Sequence, residues 1–148
     1  NRNINFFNIH LEAFREKNRM VQSEMLVDEI NNLENKDNVI IAGDFNSLPP
    51  YAKQKKGFWD EPETDFTTDR TIQNMLNIED IQDIIKEEDY KQNEESYLTF
   101  FSLKPTRRLD YIFYGINGFR LIEGQIVSSA QTLSDHLPVW ARFSPLLK

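Results

Sequence analysis

The sequence predicts an α/β domain of the mixed, α+β kind. Two apolar, β-rich runs flank a stretch with helical spacing, so the chain opens in strand–helix–strand order. The second half then carries several strand-like runs and little helix.

The elements follow in order. Ile4-Asn5-Phe6-Phe7-Asn8-Ile9-His10-Leu11 is mostly apolar and reads as a strand buried on both faces. From Arg15 to Leu33, the residues Met20, Val21, Met25, Leu26, Ile30 and Leu33 recur at helical spacing with charges between them. Val39-Ile40-Ile41-Ala42 is a short apolar run that stops at Gly43, a second buried strand. Residues 47–69 mix Pro, Gly, Lys and acids, as a long ordered loop does, and a functional rim is the usual reason for one. Ile72, Met75, Leu76, Ile81, Ile84 and Ile85 predict one or two short helices over 71–85. Strands are expected at 97–101, 109–114, 119–127 and 137–143. In the last of these, Leu137, Val139, Ala141 and Phe143 alternate with other residues.

At 148 residues, 39% hydrophobic and 28% charged, the chain is one domain's worth of sequence with enough apolar side chains for a core. It has no cysteine, which excludes disulfides and thiolate metal sites and leaves location open. No apolar run approaches the roughly 18–20 residues of a membrane span. A net charge of −7 and a pI near 4.9 lower the expectation of a nucleic-acid partner, which is usually held by a basic face. Bound cations would add local positive charge that a residue count misses, so phosphoesters stay open as substrates. The opening Asn1-Arg2-Asn3-Ile4 has neither Met nor a basic-then-apolar leader, and a piece of a longer chain is the expectation.

Four polar motifs interrupt this apolar pattern. In Gly43-Asp44-Phe45-Asn46 a carboxylate and an amide sit two apart where a strand ends. In extended chain they point the same way, beyond the carboxyl end where α/β sheets commonly bind ligands. Hard cations such as Mg²⁺ want such oxygen donors, and an Asx turn is the plainer alternative. Leu133-Ser134-Asp135-His136-Leu137 delivers an acid and an imidazole together at the head of the final strand, suited to metal binding and proton handling or to a solvated loop. Asp110 lies inside Leu109-Asp110-Tyr111-Ile112-Phe113-Tyr114, where an acid is costly to bury without a partner. His10 closes the first strand, with Asn8 on the same face, and a lone His there is more often structural. Arg107 and Arg108, with Lys104 near, grip phosphate or cap a strand entry. Lys53, Lys55 and Lys56 read as a solvated patch, and Phe58 and Trp59 contact either a substrate or a neighbouring loop.

Taken together and in this order, Asn8-Ile9-His10-Leu11, Gly43-Asp44-Phe45-Asn46, Arg108-Leu109-Asp110-Tyr111-Ile112 and Ser134-Asp135-His136-Leu137-Pro138-Val139 resemble the endonuclease/exonuclease/phosphatase family, the deoxyribonuclease-I-like fold. The resemblance runs from about Phe6 to Phe143, and the flanking sequence looks most like bacterial metal-dependent hydrolases. It implies that residues 1–148 are the C-terminal portion of a four-layer α/β/β/α sandwich whose N-terminal part is absent. It also implies metal-dependent hydrolysis of a phosphomono- or phosphodiester by water attack, with Mg²⁺ or Mn²⁺.

By the same resemblance, Asp44 and Asn46 hold the scissile phosphate and attacking water, or a second metal. Asp135 is the metal-side carboxylate. His136, oriented by Asp110, stabilises the transition state, and His10 protonates the leaving oxygen. Asn8, Arg107 and Arg108 are the expected substrate contacts. The family's metal-binding Glu lies upstream of its His strand, whereas Glu12 and Glu16 follow it here, so this chain alone is expected to be nearly inactive. An uncovered strand 4–11 would also be a surface for self-association. The reading from another class is a truncated or degenerate domain that binds a partner without catalysis.

Overall fold

The computed structural model describes residues 3–146. The elements run β1 (Asn5–His10), α1 (Glu16–Asn31), β2 (Val39–Asp44), α2 (Thr71–Leu76), β3 (Ile81–Asp83), α3 (Glu87–Gln92), β4 (Asp110–Gly115), β5 (Phe119–Ile126) and β6 (Val139–Pro145), with short 3-10 turns between some of them. Four strands form one sheet in the order β1-β2-β4-β3, while β5 and β6 pair as a separate antiparallel ribbon. β1 and β2 are parallel, which requires a crossover, and α1 is that crossover. The other two pairings in the larger sheet are antiparallel.

The larger sheet is packed on both of its faces except along β1. On one, Leu26 and Ile30 of α1 and Ile72 and Met75 of α2 pack on Val39, Ile41, Tyr111 and Phe113. On the other, Ile40, Ala42, Ile112 and Tyr114 meet Phe119, Leu121, Val139 and Phe143 from the ribbon. Tyr111 to Tyr114 are therefore buried on alternate faces, which is why β4 reads as an unbroken apolar run. The mixed α/β class is as the sequence predicts.

Several elements differ from expectation. β1 is an edge strand, not one buried on both faces: Phe7 and Ile9 pack toward α1, while Phe6 is 62% exposed because no described element covers its side. Residues 81–83 are a strand. The isoleucine spacing there fits a helix, but Asp80 turns the chain with φ 65° and Ile81 pairs with Gly115, so sheet pairing overrides the pattern. α3 has a single buried residue, Tyr90, and so left no apolar periodicity to find. Residues 97–101 form no named strand. Phe100 instead bridges singly to Arg107 and to His136, and the Phe100–Phe101 peptide is cis.

β2 also continues through Gly43 to Asp44 instead of stopping at the glycine. At Gly43 φ is 142°, and a Cβ would stand 1.9 Å from the Ile9 carbonyl oxygen. A side chain there would push β1 away and take His10 out of line with Asp44.

Candidate active site

Strand register builds the centre of the site. His10 pairs with Asp44 across β1 and β2, and Asp44 pairs with Asp110 across β2 and β4. Three polar side chains thus form one row across three neighbouring strands, on the face turned from α1, at the end where β1 and β2 finish and β4 begins. Directly opposed like charges destabilise a sheet by up to about 1 kcal/mol, so the Asp44–Asp110 pair is a local cost to folding.

His136 completes the row from the loop entering β6. Its Nδ1 lies 2.8 Å from Asp110 Oδ2, and its Nε2 lies 3.8 Å from Asp44 Oδ2. A carboxylate at Nδ1 assigns the proton there in the neutral ring, leaving Nε2 as the nitrogen that turns toward Asp44. His10 Nε2 stands 3.7 Å from the same Asp44 oxygen, with its side chain largely exposed. Asp44 Oδ2 therefore sits between two imidazoles, while its Oδ1 accepts the Asn46 backbone N–H at 2.8 Å.

The charges shift one another. Burial, and next the Asp110 charge, raise the Asp44 carboxyl above its ordinary 3.8, against the opposing pull of the Asn46 N–H and both imidazoles. Burial alone would lower the His136 imidazole, but the Asp110 hydrogen bond and the charges of Asp110, Asp44 and Asp135 outweigh it and hold the ring above 6.5.

Asn46 joins this centre in a left-handed turn, φ 49°, that Asn tolerates better than most residues. Its side-chain amide donates to the Leu11 carbonyl at 2.9 Å, which ties the turn to the end of β1. The Asx turn and the site are one feature here. These residues open on a cleft of about 1010 Å³ that includes His10, Asp44, Asn46, Asp110, Asp135 and His136.

The remaining expectations divide. Asp135 reaches the cleft wall but stands exposed, outside the tight group formed by Asp44, Asp110 and His136. Asn8 lies instead in a shallower depression beside Gly43, Ile112 and His136.

Arg108 as a substrate contact is corrected. It is fully buried, and its guanidinium makes two hydrogen bonds of 2.7 and 2.8 Å to Asp83 over the Tyr111 ring. Arg107 borders the cleft, but its guanidinium is committed to Asp60 at 2.8 and 2.9 Å, between the rings of Phe58 and Phe100. In both arginines a carboxylate from another segment has taken the donors a phosphate would need. Phe58 is core, while Trp59 is half-exposed against Phe101, with Lys104 over its ring.

The cleft wall also contains residues that sequence reading did not single out. Arg19 of α1 is buried, binds Asp69 through Nε at 2.8 Å and holds the carbonyls of Glu12 and Ala13. It thereby ties the β1–α1 loop to the long loop. Glu61, Glu63 and Asp65 of that loop line the wall. In the sequence that loop reads as a functional rim, but its individual acids read only as solvated mixed charge.

One ligand atom each from Asp44, Asp110 and His136 falls within 4.8 Å of the others. Two carboxylates, an imidazole and the neighbouring Asn46 amide are chemically suited to a divalent cation.

No sequence among curated proteins matches this chain. Solved structures do match its fold. A mannosyl-6-phosphatase of Bacteroides thetaiotaomicron aligns at TM-score 0.63 and 18% identity, over 94% of this chain and 50% of that one. The catalytic domain of human Nocturnin with bound sulfate aligns at TM-score 0.63 and 18% identity, over 95% and 46% respectively. A 3′ phosphatase from Neisseria bound to product DNA hairpin aligns at TM-score 0.63 and 20% identity, over 94% and 60%. The chain thus spans about half the length of these structures. A model of the endonuclease/exonuclease/phosphatase family matches residues 8–136, which contain the whole row and His136. This chain belongs to the endonuclease/exonuclease/phosphatase family.

Proposed function

We propose that this chain supplies catalytic groups of a divalent-metal-dependent hydrolase that cleaves a phosphoester by direct water attack. The observation that carries the reading is the convergence of His10, Asp44 and Asp110 in one cross-strand row with His136 bonded to Asp110. Such an assembly is costly to hold for structure alone, because it places two carboxylates side by side with only imidazoles, and neither Lys nor Arg, to balance them.

Each group has a task. Asp44, raised by burial and by Asp110, accepts the proton of the attacking water. Asn46, anchored on Leu11, fixes that end of the cleft. His136, held by Asp110 and protonated on both nitrogens, presents its Nε2–H to the phosphoryl oxygens, and the exposed His10 hands a proton to the leaving oxygen. Mg²⁺ or Mn²⁺, held by Asp44 with Asn46 and with Asp135 at the rim, would offset phosphate charge and favour ionisation of water.

The cleft favours a compact phosphoester over nucleic acid. Its arginines, Arg19 and Arg107, are already paired with Asp69 and Asp60, and Glu61, Glu63 and Asp65 add negative charge to the wall. Among the described residues of the wall, a polyanion gains no unpaired Lys or Arg side chain. No described helix is long and apolar enough to cross a membrane.

The test is turnover of a panel by the full-length protein, with Mg²⁺ and then with EDTA. The panel comprises sugar phosphates, bis-p-nitrophenyl phosphate and a DNA hairpin. Metal-dependent release of phosphate or nitrophenol supports the reading. No turnover of any member with either metal leaves the partner-binding alternative.

A further inference from the structure

Asp110 and His136 come from different sheets, β4 in the larger one and the loop leading into β6 in the smaller. No continuous strand ladder joins them, so something else must set their 2.8 Å separation. Residues 99–102 lie between the two segments and bond to both.

Thr99 is fully buried. Its hydroxyl oxygen accepts the backbone N–H of Leu109 at 3.0 Å and of Asp110 at 3.3 Å. Its own N–H donates to the Arg107 carbonyl at 2.9 Å, and its carbonyl accepts the N–H of Leu137, the residue after His136, at 2.8 Å. Three residues on, Ser102 is also buried and does the same for the other side of the loop. Its hydroxyl donates toward the carbonyls of Gln131 at 2.9 Å and Ser134 at 2.5 Å, and its N–H donates to the Asp135 carbonyl at 2.7 Å. Between them, the Phe100 ring lies 4.7 Å from the His136 ring.

We propose that Thr99 and Ser102 are positioning residues, which hold the two backbones at the spacing that the Asp110–His136 pair needs. The kinetic consequence rests on the hydrolase reading above, whereas the geometric one does not. A hydrogen bond at this distance tolerates little drift, and a displacement of about 1 Å at a reacting group costs on the order of 10²-fold in rate. Each hydroxyl is the side-chain end of its link. Thr99→Val keeps the shape but leaves the N–H groups of Leu109 and Asp110 without that acceptor, while Thr99→Ser keeps the oxygen.

The experiment compares wild type, Thr99→Val, Thr99→Ser and Ser102→Ala of the full-length protein by two readouts. The first is the low-field proton resonance of the His136 ring N–H, assigned by its loss in His136→Gln. The second is kcat and KM on bis-p-nitrophenyl phosphate with Mg²⁺. Wild type and Thr99→Ser should both keep the resonance. In Thr99→Val and Ser102→Ala it should broaden or vanish, and kcat should fall by about 10- to 100-fold with KM within about twofold. Resonance and kcat unchanged in both of those variants overturn the proposal. If Thr99→Val does not fold, Ser102→Ala, which leaves the β4 backbone bonds in place, decides alone. A wild type with the resonance but no turnover refutes the hydrolase reading, and the spectra of the variants still decide the positioning.

Discussion

Asp83 and Asp110 are two acids of the same sheet, each bonded to a cationic or imidazole side chain at under 3 Å, and they show what separates a closed structural pair from one left open to a cleft. Asp83 is buried at the end of β3, and both its oxygens are taken by one fully buried guanidinium, Arg108. Everything there is neutralised in place. Asp110 has a ring nitrogen on one oxygen, a second acid across the strand and a cleft in front of it. The first arrangement is complete without a ligand. The second leaves Asp44 and Asp110 with more negative charge than His136 can balance, which a bound cation or a proton would relieve.

The contrast can be broken most forcefully at His136. On the proposed function, His136→Gln should lower turnover of the full-length protein by about 10²- to 10⁴-fold, the range of a lost acid–base group. It should change unfolding free energy by only about 1 kcal/mol, since the pair is partly solvated. Unfolding of the variant at ambient temperature would place the pair with Asp83 as structure. Arg108→Met should do the reverse, with a loss of about 3–5 kcal/mol in urea unfolding from the stranded Asp83 charge. Asp83→Leu on top of Arg108→Met should recover much of that loss, and failure to recover would mean the pair is not acting as a closed unit.

A smaller effect separates the two pairs by pH. The His136 ring is held above its ordinary 6.5, so the folded state keeps a proton that the unfolded chain releases. Its stabilisation is complete below that value and is lost as pH rises through the folded-state value. Asp44, raised above 3.8, acts in the same direction at lower pH, because ionising it in the folded state is the costly step. Unfolding midpoints in EDTA should therefore drift down as pH rises above about 6.5 in wild type, and this drift should be absent in His136→Gln. Arg108→Met should keep it.

Legibility in the sequence followed locality. Asp110 stood out because it interrupts an apolar run, where burying an acid needs a reason, and Asp44 because it ends such a run two residues before Asn46. His10 is weak alone and gains weight in the sequence only from the joint motif resemblance; its pairing with Asp44 depends on Gly43 admitting the β1 backbone, which no local pattern reports. The burial of Arg108 and the commitment of Arg107 could not be seen locally, because their partners, Asp83 and Asp60, lie 25 and 47 residues away. Thr99 and Ser102 carried no signal, since a hydroxyl in a strand-like run is ordinary until its hydrogen bonds are known. β3 was hidden by isoleucines that suit either period.

The central claim is that the His10–Asp44–Asp110–His136 row works on a phosphoester with a divalent cation. Its most direct test is the Mg²⁺ or Mn²⁺ titration of turnover by the full-length protein, on whichever panel member is cleaved, for wild type and Asp44→Asn. The expected result is activity that rises with metal, disappears in EDTA and returns on adding metal back. In Asp44→Asn, turnover should fall by about 10²-fold or more while the unfolding midpoint is maintained. Equal turnover by wild type and Asp44→Asn across the titration would contradict the claim.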